Sequence, residues 1–130
     1  MSQDIHIICV SGTREKLQMA AMVASVAAAS GTQVSVFFSM NALTYFVNGS
    51  TADAPTEGDF GQLMASNKGV PPFRQLFTMA AELGDAKLLP CSMALDLMEV
   101  EEDGLDPAFG PPTGLTRFLT DAEGGQLLTF

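Results

Sequence analysis

Four short apolar runs punctuate the chain: IHIICV at 5–10, QVSVFFS at 33–39, AKLLP at 86–90 and QLLTF at 126–130. Each is separated from the next by enough residues for a helix. Antiparallel neighbours need only a tight turn between them, whereas parallel strands need a crossover of a dozen residues or more. This spacing therefore predicts a parallel sheet. The runs carry few polar residues, which fits strands covered on both faces.

The intervening stretches read as those crossovers. Thr13 stands where a cap belongs, ahead of a helix over about 14–30 that Gly31 ends. MNALTYFVNG (40–49) predicts a short helix stopped by Asn48 and Gly49, and Pro71-Pro72 open another over 73–84 with Gly84 as its C-cap. Ser92 is placed to cap MALDLMEV, and a last helix is expected over about 113–122. Right-handed crossovers between such strands make an α/β fold, a Rossmann-like three-layer sandwich with a mainly parallel sheet of four to five strands. The fifth strand would lie around VEEDGL (100–105). Residues 49–72 break the rhythm with Gly, Pro, Asp and Ser, and read as a long mobile loop around a small apolar island, Phe60, Leu63 and Met64.

At 130 residues the chain suits one domain, residues 1–130. With 47% apolar and 16% charged residues it has more apolar surface than a domain of this size readily hides, so a homo-oligomer is expected. The net charge of −9 and six scattered Lys and Arg residues argue against nucleic acid and anionic membrane surfaces as partners. Two cysteines make no disulfide framework, the start lacks a basic, cleavable leader, and the greasiest stretch is too short and too interrupted to cross a bilayer. A cytoplasmic location is expected.

In an open parallel sheet, chemistry collects at the carboxyl ends of the strands. Ser11, Gly12, Ser39, Met40, Asn41, Cys91, Ser92 and Met93 should line that edge as pocket candidates. Cys91 stands out because a helix N-terminus just after it would favour a thiolate, with Lys87, Lys68 and Arg74 the nearest cations in sequence. An inert, semi-buried thiol is the competing reading. Cys9, near the end of the first strand, reads as core; a resolving disulfide to Cys91 needs their strands to be neighbours. With His6 the single histidine, inside a strand, and no C-x-x-C, zinc and iron–sulfur sites are excluded. SGTREKL matches neither dinucleotide nor P-loop fingerprints. Asp96 and Glu99 are spaced to share a helix face, and the acids at 99–103 read as a solvated turn.

Taken in order, IICVSGTREKLQMAAMVASVAAASG, VSVFFSMNALTYF, LLPCSMALDLMEV and the terminal LLTF resemble the DsrE/DsrF-like family of small sulfur-relay proteins, whose cytoplasmic members include peroxiredoxin-like ones. The resemblance spans nearly the whole chain. It implies a three-layer α/β subunit assembling as a trimer or hexamer, and Cys91 matching the family cysteine that carries sulfur as a persulfide. No cofactor is implied; the partners implied are sulfur donor and acceptor proteins. Under this reading the chain is a sulfurtransferase-type carrier, with the Phe60–Met64 island covering the sulfur or touching another subunit. The alternative is a non-catalytic oligomeric module of the same fold that binds a partner protein or a small apolar ligand.

Overall fold

A computed structural model describes residues 3–130. Strands β1 (Ile5–Cys9), β2 (Val34–Phe38), β3 (Lys87–Pro90) and β4 (Gln126–Thr129) form one sheet in the order β3-β2-β1-β4, every pairing parallel. Helices α1 (Arg14–Ala29), α2 (Met40–Leu43), α3 (Asp59–Ser66), α4 (Phe73–Gly84), α5 (Ser92–Met98) and α6 (Leu115–Asp121) complete the described elements, with 3₁₀ turns at Thr44–Phe46 and Glu102–Gly104. The result is the expected three-layer α/β sandwich.

Topology assigns the helices to faces. The crossovers β1 to β2 and β2 to β3 run in one direction along the sheet, so right-handedness sets α1 and α4 on the same face. The return from β3 to β4 runs the other way and puts α6 on the opposite face, where Phe118 meets Phe37 at 5.2 Å between ring centroids. Beneath α1 and α4 the sheet presents Ile7, Cys9, Val36, Phe38 and Leu88, all fully or nearly fully buried. Phe38 anchors this core, packing edge-to-face against Phe46 and Phe77 at 4.9 Å and tilted against Phe109 at 5.0 Å.

Several details depart from the sequence reading, each for a local reason. The helix expected over 40–49 stops after four residues and tightens into a 3₁₀ turn, because the next carbonyls are taken elsewhere: Arg74 Nε donates to Tyr45 and the Asp106 amide to Phe46. Gly84 is the last residue of α4 rather than its cap, and Asp85 takes the left-handed conformation at φ 58°. Gly84 is needed for proximity instead, since a Cβ there would lie 2.5 Å from the Ala28 Cβ and 3.0 Å from its carbonyl. Cys91, not Ser92, is the residue flanking α5.

No strand forms around residues 100–105; that stretch holds the 3₁₀ turn, and Leu105 makes one antiparallel bridge to Val47. The strip that lies along β3 comes later. Phe109 bridges Leu88 and Thr113 bridges Cys91, but Pro111 and Pro112 between them have no N–H to give, so no ladder develops. The supposed loop at 49–72 contains α3 and is tethered at several points. The Glu15 carboxylate accepts the Glu57 and Gly58 amides at 2.8 Å, Arg14 pairs with Asp53, and the Arg74 guanidinium donates to the Ala52 carbonyl.

Candidate functional site at the sheet's carboxyl edge

Main-chain hydrogen bonds place the strand ends side by side. The Ser39 amide donates to the Cys9 carbonyl at 3.1 Å, and the Cys91 amide to the Phe38 carbonyl at 2.8 Å. Ser11, Ser39 and Cys91 thus follow the carboxyl ends of β1, β2 and β3 in sequence and in space. Gly12 sits against the next turn, where any Cβ would come 2.7 Å from the Asn41 Cβ, and its carbonyl accepts the Tyr45 hydroxyl at 2.8 Å. Ser11 bonds to Thr13, whose own hydroxyl donates to Glu57 rather than capping α1. Ser39 is buried; Met40, Asn41, Ser92 and Met93 are exposed, with Met40 held at φ 55°.

The strand order reverses between β1 and β4, which is where open sheets usually bind ligands. Here the carbonyl of Phe130 occupies that position, accepting the amides of Val10 and Ser11. Cys91 lies two strands away, beyond edge strand β3.

Cys91 is 5% exposed. Pro90 ends β3 at the sheet margin, where a missing N–H costs no ladder bond. Thr113 then brackets the thiol's backbone, donating to the Pro90 carbonyl and accepting the Ser92 amide, both at 3.0 Å. The thiol makes no capping bond to α5. The Met93 and Ala94 amides, in the helix's first turn, have no acceptor within it.

Cys9 is fully buried and burial pushes its thiol up to about 12, so it is neutral and unreactive at physiological pH. It cannot resolve Cys91, because β2 lies between their strands. Two strand spacings are roughly 9–10 Å, beyond the roughly 7 Å limit between Cα atoms of a disulfide. The cations near Cys91 in sequence do not assist it by structure. Lys87 starts β3 and is about 13 Å away at strand rise, Arg74 is held by Tyr45 and Ala52, and Lys68 lies exposed in the turn after α3. Nor do Asp96 and Glu99 share a helix face, since Glu99 has left α5 in the left-handed conformation. Among the described residues no group of three or more His, Cys, Asp or Glu side chains is arranged to hold a metal.

The apolar island became the outer face of α3. Phe60 is 70% and Leu63 62% exposed, so they cover no sulfur within this chain. What the sequence reading missed lies on the other side of the sheet. His6, Ser35 and Lys87 are direct register partners across β1, β2 and β3, forming a polar row at the floor of a cleft of about 900 Å³. Each is the single polar residue of its strand, so the signal is visible only once the three strands are aligned.

No curated protein matches the sequence. Two solved structures share the fold across essentially the whole chain. The ychN protein from E. coli is 16% identical, with a TM-score of 0.66 over 98% of this chain and 99% of that one. MTH1491 from Methanobacterium thermoautotrophicum, a protein of unknown function, is 13% identical, with a TM-score of 0.58 over 100% of both. At the level of sequence, the profile of one family matches residues 53–130, the segment that carries α3 to β4 and Cys91 itself. The chain belongs to the DsrE/DsrF/DrsH-like family.

Proposed function

We propose that this protein carries sulfane sulfur as a persulfide on Cys91 within a cytoplasmic sulfur relay. The observation that carries the reading is the contrast between its two thiols: one is sealed in a central strand with its pKa raised, the other, 5% exposed, follows an edge strand just ahead of a helix whose Met93 and Ala94 amides have no acceptor within it. In the reaction, the Cys91 thiolate attacks the outer sulfur of a donor persulfide R–S–SH. A Cys91 Sγ–S bond forms, the donor S–S bond breaks, and RS⁻ leaves with the electron pair. An acceptor thiolate then attacks the outer sulfur in turn and regenerates the Cys91 thiolate, so no external oxidant or cofactor takes part. Burial keeps the loaded sulfur from water and stray thiols, and both transfer steps require local opening around Cys91.

Native-state alkylation with iodoacetamide tests this through thiol accessibility. Cys91 should be modified while Cys9, with about a thousandfold less thiolate than at its ordinary value of 9.0, stays protected until unfolding. Equal protection of both thiols contradicts the carrier reading.

A second reading has its own support in the burial of Cys91 and in the outer face of α1. That helix has no charged residue from Leu17 to Ala29, and it turns Met19, Met22 and Val26 outward beside Met79 and Leu83 of α4. A helix apolar on all sides is a buried one. On this reading the chain is an oligomeric binding module, and the thiol is structural. Self-association as a trimer or hexamer is compatible with both.

A further inference from the structure

The geometry points to a second site, separate from Cys91: the cleft above the polar row binds a small organic anion with a flat apolar body. A parallel sheet covered by helices is normally lined with Val, Ile and Leu, yet here three register partners on one face are His6, Ser35 and Lys87. His6 is only 7% exposed, stands edge-on to Phe118 at 5.9 Å, and its Nδ1 has no hydrogen-bond partner. A buried polar atom left unpaired is destabilising, and a ligand that pairs it offsets that cost.

The charges select the ligand. Arg117 and Asp121, both lining the cleft, neutralise each other at 3.0 Å. Lys87 takes part in none of the ion pairs among the described residues, which are Arg14–Asp53, Lys16–Glu57 and Arg117–Asp121. With a proton on Nδ1 of His6, the row offers an imidazole N–H, a hydroxyl and an ammonium across about 10 Å of sheet. Those are donors for a carboxylate or similar oxyanion. Asp4, the remaining charged group of the lining, precedes β1 and stands away from Lys87, which is two strands over. The apolar lining comes from Phe118, Leu89, Pro111 and Pro112, while the Phe109 ring packs on Phe38 and Phe46; that lining suits a one- or two-ring body.

The test uses 2-naphthylacetate and its uncharged amide, titrated into the full chain by calorimetry and by amide NMR. The acid should saturate at millimolar concentration or below and shift the Ser35 and Lys87 amides. The amide, and Lys87→Met with the acid, should each bind about tenfold more weakly, as loss of one charge-assisted hydrogen bond implies. Lys87 is exposed, so the variant keeps its fold, which circular dichroism checks. Equal binding of acid and amide, indifference to Lys87→Met, shifts confined to another surface, or no binding because a second copy of the chain covers the cleft would each overturn the site. None of these results bears on persulfide loading at Cys91.

Discussion

Phe38 does two jobs at once. Its ring is the centre of the aromatic core and its carbonyl holds the Cys91 amide at 2.8 Å, so core packing sets the position of the thiol. Phe38→Ala is expected to cost about 3–5 kcal/mol, as truncation of a fully buried Phe does, and to raise the alkylation rate of Cys91 in the folded fraction. Chemical denaturation together with native alkylation checks both. A loss below about 1 kcal/mol would mean that the ring is not the keystone of the core. At this scale the sequence was partly legible. Cys9 as core and Cys91 at a strand-to-helix junction follow from the runs themselves. The partners of Cys91 do not, because Lys87 and Arg74 are close in sequence yet are carried off by strand rise and by the Tyr45 and Ala52 carbonyls.

Among the elements, α3 shows why a glycine- and proline-rich segment can still be ordered. Its own helical propensity is modest, but the Glu57 and Gly58 amides just ahead of it are met by the Glu15 carboxylate from α1, and Gly61 lets the two helices approach: a Cβ there would lie 2.6 Å from the Glu15 carboxyl. No pattern within residues 49–72 discloses a partner more than forty residues upstream, which is why the segment read as a loop. The amide of Glu57 above all, with that of Gly58, lowers the Glu15 pKa from 4.5. A carboxylate depressed in the folded state contributes stability above its unfolded pKa and loses it as pH falls through the folded value. The Glu57 and Gly58 amide resonances should therefore titrate together, with a midpoint below 4.5. A midpoint at or above that value, or amides that ignore the titration, would show that the tether is not formed. The phantom strand at 100–105 is the converse case, where acidic residues and Gly104 favour a turn and the strip along β3 is built instead from proline-rich sequence.

At the scale of the whole molecule, parallel topology was legible because crossover lengths leave little choice; strand order was not, because right-handedness fixes the face on which a crossover runs and leaves open which strands are neighbours. The open face was not legible either, since a single polar residue in each of three strands becomes a row only through register. Self-association would cover the outward Met19, Met22 and Val26 side chains of α1. Light scattering should give three or six times the chain mass, and Met22→Glu with Val26→Glu should reduce it; a monomer at micromolar concentration contradicts self-association. Sulfur loading at Cys91 is read most directly by intact-mass analysis after exposure to a low-molecular-weight persulfide and removal of excess donor. Wild type and Cys9→Ser should each gain one sulfur and Cys91→Ser none, whereas a label that follows Cys9, or no uptake by any folded variant, would contradict the carrier function.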